Sequence, residues 1–122
     1  MPNKILVIDD AEDLLELTRR LLESRGYQVI PLLDGDQTLA VMRTEQPNLV
    51  ILDMLMPGLT GDELCNAIKN EPDLKNIPVI ITTGQFLEES SHPPDFKKAD
   101  SYLRKPFEPE DLLTQVRQFL PV

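Results

Sequence analysis

Three acidic residues stand where apolar runs give out: Asp9 and Asp10 after Ile5 to Ile8, and Asp53 after Leu49 to Leu52. Thr82 and Thr83 close the run that starts at Pro78, and Lys105 follows the short run Ser101 to Arg104. Acids that share a site repel one another and raise one another's pKa, and packing gives no reason to gather them. A bound cation removes the conflict. Oxygen donors without a nearby His or Cys point to a hard ion, and few carboxylates with room for waters favour Mg²⁺ over calcium. Asp9 and Asp10 would hold it. Asp53 would serve as a third ligand or as a nucleophile that forms an acyl phosphate. The roughly −1.5 to −2 charge of that phosphoryl group would be balanced by the metal and by Lys105.

Whether these residues meet depends on the elements that carry them. After Asp10, Leu14, Leu17 and Leu21, with Leu15 and Leu22 beside them, recur at helical spacing, and Gly26 offers a stop. The strand-then-helix unit repeats as Tyr27 to Leu33 with Asp34 to Glu45, then as Leu49 to Leu52 with Asp62 to Asn70. Pro78 to Thr82 and Ser101 to Arg104 read as further strands, and Leu112, Leu113, Val116, Phe119 and Leu120 mark a closing amphipathic helix. Glu108, Pro109, Glu110 and Asp111 suit the positive end of its dipole. Near-continuous apolar strands alternating with helices argue for an α/β fold, a doubly wound five-stranded parallel sheet with about five helices on both faces. In such sheets ligands bind beyond the carboxyl ends of the strands, where all the residues above fall. The fourth helix, expected near Glu88 to Asp95, contains Pro93 and Pro94 and should be shortened, displaced or broken. His92, beside these prolines, is assigned no role.

The bulk composition fits one domain over residues 1–122, with 41% hydrophobic and 27% charged residues. A formal charge of −9 repels phosphates and argues against direct nucleic-acid binding. Cys65 is the single cysteine, which excludes an internal disulfide and suits a reducing compartment. No segment resembles a signal peptide or a membrane span, so a cytoplasmic location is expected. A flavin-phosphate site of similar architecture is rejected, because Asp9 and Asp10 occupy the loop that would have to accept the phosphate.

Four motifs, in order, complete the reading: Val7-Ile8-Asp9-Asp10, Leu52-Asp53-Met54-Leu55-Met56-Pro57-Gly58, Pro78-Val79-Ile80-Ile81-Thr82-Thr83-Gly84 and Tyr102-Leu103-Arg104-Lys105-Pro106-Phe107. Together they resemble the bacterial two-component response-regulator receiver family, of chemotaxis type and flavodoxin-like fold, over essentially the whole chain. The resemblance implies strand order 2-1-3-4-5 and a signalling phosphoacceptor rather than an enzyme, one that assists its own phosphorylation and dephosphorylation. Asp53 would take a phosphoryl group from a sensor histidine kinase or phosphotransfer protein. Asp10 would ligate Mg²⁺ directly and Asp9 largely through water, with Asp53 and the backbone carbonyl of Leu55. Lys105 would bind phosphate, Thr83 would be the switch hydroxyl and Tyr102 the switch aromatic, and the Lys105-Pro106 bond would be cis. Output would pass to a partner or domain that the sequence does not name, a phosphorylation-linked dimer being one form.

Departures from the family matter too. The positions that tune hydrolysis carry Leu55, which cannot hold a water, and Gln85, which can; a fairly long-lived phosphoryl group is expected. Lys98-Ala99 stands where the family usually has a glycine before Ala, at a cost of roughly 1 kcal/mol if the left-handed turn is kept. Two other readings are weaker. A phosphorylation-independent receiver-like binding module would need none of the chemical residues, and a haloacid-type hydrolase would need a second Asp at Leu55.

Overall fold

The computed structural model describes residues 3–56, 58–84 and 96–120. The strands are β1 (Lys4–Ile8), β2 (Gln28–Leu32), β3 (Leu49–Asp53), β4 (Val79–Thr83) and β5 (Ser101–Arg104). They form one parallel sheet in the order β2-β1-β3-β4-β5. The described helices are α1 (Glu12–Ser24), α2 (Thr38–Glu45), α3 (Gly61–Lys69) and α4 (Pro109–Phe119). The expected irregular fourth helix, with His92, Pro93 and Pro94, lies outside the described residues, as does Gln85.

The period-2 alternation of the strands divides the core into two layers. Ile5, Val7, Leu49, Ile51 and Ile80 face α1 and α4, meeting Leu15, Leu22, Leu112 and Val116. Leu6, Ile8, Val50, Leu52, Val79 and Ile81 face α2 and α3, meeting Met42, Leu64, Cys65 and Ile68. This explains why β1, β3 and β4 are apolar until their ends: both faces are covered. Each fully buried Leu or Ile contributes about 1.5–3 kcal/mol relative to exposure.

The elements begin and end for local reasons. Gly26, at φ +92°, follows α1 and donates its N–H to the Glu23 carbonyl at 3.1 Å. At α4 the Glu108 N–H donates to the Asp111 carboxylate at 2.9 Å, with Pro109 at the first helical position. Helix α2 starts at Thr38 rather than at Asp34 as the sequence suggested. The Asp34 carboxylate accepts the Asp36 N–H at 3.0 Å in a local side-chain turn ahead of the helix. Gln46 is the one described non-glycine residue with positive φ, so Lys98 does not keep a left-handed stop. Its neighbour Lys97 instead donates its N–H to Asn66 Oδ1 at 2.7 Å.

No helix among the described residues is long and apolar enough to cross a membrane. Cys65 on α3 is fully buried, and burial pushes its thiol up to about 12. Iodoacetamide at mildly alkaline pH should therefore leave Cys65 unmodified in the native chain and label it readily after unfolding in urea; rapid labelling of the native chain would contradict this packing.

Candidate functional site

Register builds the site. Ile8 pairs with Leu52 and Asp53 with Thr82, so Asp9 and Asp53 emerge side by side from adjacent central strands. Odd-numbered residues of β1 and β3 face the α1/α4 layer, and both carboxylates follow that alternation. Beyond β5, the Lys105 N–H donates to the Thr83 carbonyl at 2.7 Å, which extends the strand's pairing by one residue. The Lys105 ammonium then donates to Asp53 Oδ1 at 3.0 Å and lies 3.7 Å from Asp9 Oδ2.

Asp9 and Asp53 are 6% and 8% exposed, whereas Asp10 is open to solvent at the rim. The three offer carboxylate oxygens that all lie within 4.8 Å of one another. Burial pushes the Asp9 pKa up; the Ala11 N–H, donating to Asp9 Oδ1 at 2.9 Å, and Lys105 pull the other way, while Asp53 and Asp10 add to the rise. Three ionised carboxylates against one ammonium leave a charge of −2. An all-oxygen donor set with that residual charge fits a divalent hard cation.

Thr82 stands beside Asp53 and donates its hydroxyl to the Leu52 carbonyl at 3.4 Å. Thr83, 1% exposed, ends β4. Alternation puts it on the face of Ile81 and Tyr102, which lie on the α3 side. Leu55, two residues after Asp53, is an exposed loop residue. The Lys105-Pro106 peptide bond is cis. Tyr102 packs inward: its hydroxyl donates to Asp62 Oδ1 at 3.2 Å and accepts the Ala99 N–H at 3.4 Å. Burial is the main cause that pushes its phenol up to about 12.

Two positioning features escaped the sequence reading. Gly61 opens α3 against the end of β3; a Cβ there would lie 2.7 Å from the Asp53 carbonyl oxygen and 2.9 Å from Met54 Cα. The Thr60 and Glu63 side chains and backbone N–H groups cap this helix reciprocally, at 3.1 Å each way. The second feature is the stripe Asp62, Asn66 and Lys69 on α3, which holds Tyr102, the Lys97 N–H and Asp100 respectively. A Gly between Thr60 and an acidic pair was the available signal for the first; the second had none, because its partners lie 31 to 40 residues away.

Residues 5–117 match the family described as the response regulator receiver domain. The chain belongs to this family. The receiver is 34% identical over 117 residues to the phosphate regulon transcriptional regulatory protein PhoB of Rhizobium meliloti, covering 96% of the chain and 52% of PhoB. It is 33% identical to Protein PilG of Pseudomonas aeruginosa, covering 97% of the chain and 87% of PilG. It thus spans about half the length of the transcriptional regulators it matches, with 52%, 48% and 49% of the first three. Among solved structures, a CheY-like receiver domain protein from Methanospirillum hungatei superposes with TM-score 0.84 at 30% identity, covering 97% of this receiver and 93% of that chain. CheY4 of Vibrio cholerae superposes with TM-score 0.83 at 27% identity over 98% of this receiver and 99% of CheY4.

Gly61→Ala tests the close approach of α3 to the Asp53 backbone. Because the contact is with main-chain atoms, the variant should lose about 1–3 kcal/mol in urea unfolding; an unchanged midpoint would show that the loop yields freely.

Proposed function

We propose that this receiver accepts a phosphoryl group on Asp53 from a phosphohistidine of a sensor kinase or phosphotransfer protein. The observation that carries the reading is the convergence of Asp9, Asp10 and Asp53 on one site, with Lys105 Nζ 3.0 Å from Asp53 Oδ1. In the step itself an Asp53 carboxylate oxygen forms a bond to phosphorus, the donor's P–N bond breaks, and the imidazole leaves with a proton. Phosphoryl transfer asks chiefly for alignment and charge compensation, and no protein base is required. Lys105 holds one Asp53 oxygen and its ammonium faces the incoming charge. Asp9, Asp10 and Asp53, with the Leu55 carbonyl, would hold Mg²⁺, which when bound supplies Lewis-acid neutralisation of the phosphoryl oxygens.

The switch then runs through Thr83 and Tyr102. Thr83 ends the strand whose Thr82 flanks Asp53, and it shares a face with Tyr102. A phosphoryl group that draws Thr83 inward changes what Tyr102 packs against, and the Asp62 and Ala99 contacts of Tyr102 are the ones to be exchanged. A near-complete switch needs about 5.5 kcal/mol of differential stabilisation, within reach of several charge-assisted contacts. Output goes to a cytoplasmic partner, a dimer or a further domain. PilG, matched over most of its length, and the regulators matched over half of theirs support different versions of that output. The −9 charge assigns any DNA contact to a segment other than this receiver.

Incubation with acetyl phosphate and Mg²⁺, followed by intact-mass measurement, should add one phosphoryl group to the wild type and none to Asp53→Asn, while chelation by EDTA should suppress the reaction. A phosphoryl group retained in Asp53→Asn would end the assignment. Leu55 cannot hold an attacking water and Gln85 can, so the phosphoryl group should survive desalting and sizing and should last several-fold longer still in Gln85→Ala; equal lifetimes would remove Gln85 from hydrolysis.

A further inference from the structure

A basic groove lies at the opposite edge of the sheet from Asp53. It has a volume of about 680 Å³ and is lined by Lys69, Pro72, Lys75, Phe96, Lys97 and Lys98, with Asp100 beside Lys69. These residues end α3, lead into β4 and lead into β5, so the groove sits at the amino ends of the strands, away from the carboxyl ends that carry Asp9 and Asp53. Four of the chain's six lysines are here.

The described acids in and beside the groove are already engaged. Lys69 pairs with Asp100 at 2.8 Å and also donates to the Lys75 and Ile77 carbonyls at 3.1 and 2.8 Å, which makes it a structural clamp. Nearby Glu71 and Asp73 are both taken by Arg43, at 3.3 and 2.9 Å. Lys75, Lys97 and Lys98 are exposed and make no ion pair with a described carboxylate. The Lys97 backbone is fixed by Asn66 Oδ1 at 2.7 Å, so two of these lysines project from an anchored segment. The lining carries a net charge of +3 in a chain of −9, which leaves −12 on the rest of the surface.

We propose that this groove docks a short acidic segment of a partner protein, its carboxylates meeting Lys75, Lys97 and Lys98 and an apolar side chain meeting Pro72 and Phe96. Charge complementarity selects the occupant. Double-stranded DNA carries one charge per about 1.7 Å along its axis, and an extended polyanion or an anionic membrane would run from the groove onto the strongly negative remainder, where it is repelled. A peptide with a few carboxylates ends before that boundary. The groove serves this role independently of the chemistry at Asp53.

The test is fluorescence anisotropy with a short labelled peptide of Glu and Asp residues carrying one Leu, titrated with the wild-type receiver and with the triple variant Lys75→Glu, Lys97→Glu, Lys98→Glu. Saturable binding should weaken roughly tenfold or more in the triple variant, and should weaken for the wild type as salt rises toward about 0.15 M. The variant's thermal midpoint and its acceptance of phosphate from acetyl phosphate should stay at wild-type levels, which separates loss of the groove from loss of the fold. No binding to the wild type, or equal binding to both, overturns the proposal. Tighter capture of an RNA oligonucleotide or of phosphatidylserine vesicles through the same lysines overturns the choice of a protein partner.

Discussion

Two carboxylates buried side by side are the constraint around which this domain is arranged. Asp9 and Asp53 leave adjacent parallel strands in the same register and on the same face, and Lys105, two strands away in the sheet, supplies a single ammonium. One cation cannot neutralise both of them and Asp10. Burial penalises the charged form of Asp9, and its like-charged neighbours add to that penalty. Such an arrangement lowers stability in isolation and is characteristic of functional sites rather than of packing. The two apolar layers offset its cost and hold the strands in register.

Helix α3 ties this centre to the far side of the domain. Its first residue rests on the backbone of Asp53 and Met54, and the Gly61 N–H donates to the Met54 carbonyl at 2.8 Å. Its stripe Asp62, Asn66 and Lys69, three and four residues apart, projects on one side and reaches the segment that enters β5 through Tyr102, Lys97 and Asp100. The Asp100 carboxylate also accepts the Val79 N–H at 2.8 Å, so one clamp sets the start of both β4 and β5. Through these contacts α3 joins the backbone beside Asp53 to the segment that enters β5.

Charge is distributed with the same economy. The negative end of the molecule gathers carboxylates around a site for cations, and the opposite edge gathers lysines whose acidic neighbours are taken by Arg43 and Lys69. The two ends of the sheet thus present opposite charge.

The sequence by itself determined the strands, their order of appearance and the residues at their carboxyl ends. Apolar runs buried on both faces leave a periodic signal, and the runs of β1 and β3 stop at the acidic residues of the candidate site. The alternation that sends Ile5, Val7 and Asp9 to one face is likewise local, and so is the stop at Gly26. Tertiary structure decided what depends on distance between segments: that Gly61 has no room for a side chain against Asp53, and that Tyr102 is held by Asp62. Neither is written in periodicity or composition, because both are contacts between groups whose approach is set by how α3 packs on the sheet. Packing also made one groove of lysines as far apart in sequence as Lys69 and Lys98, where the chain as a whole reads only as acidic.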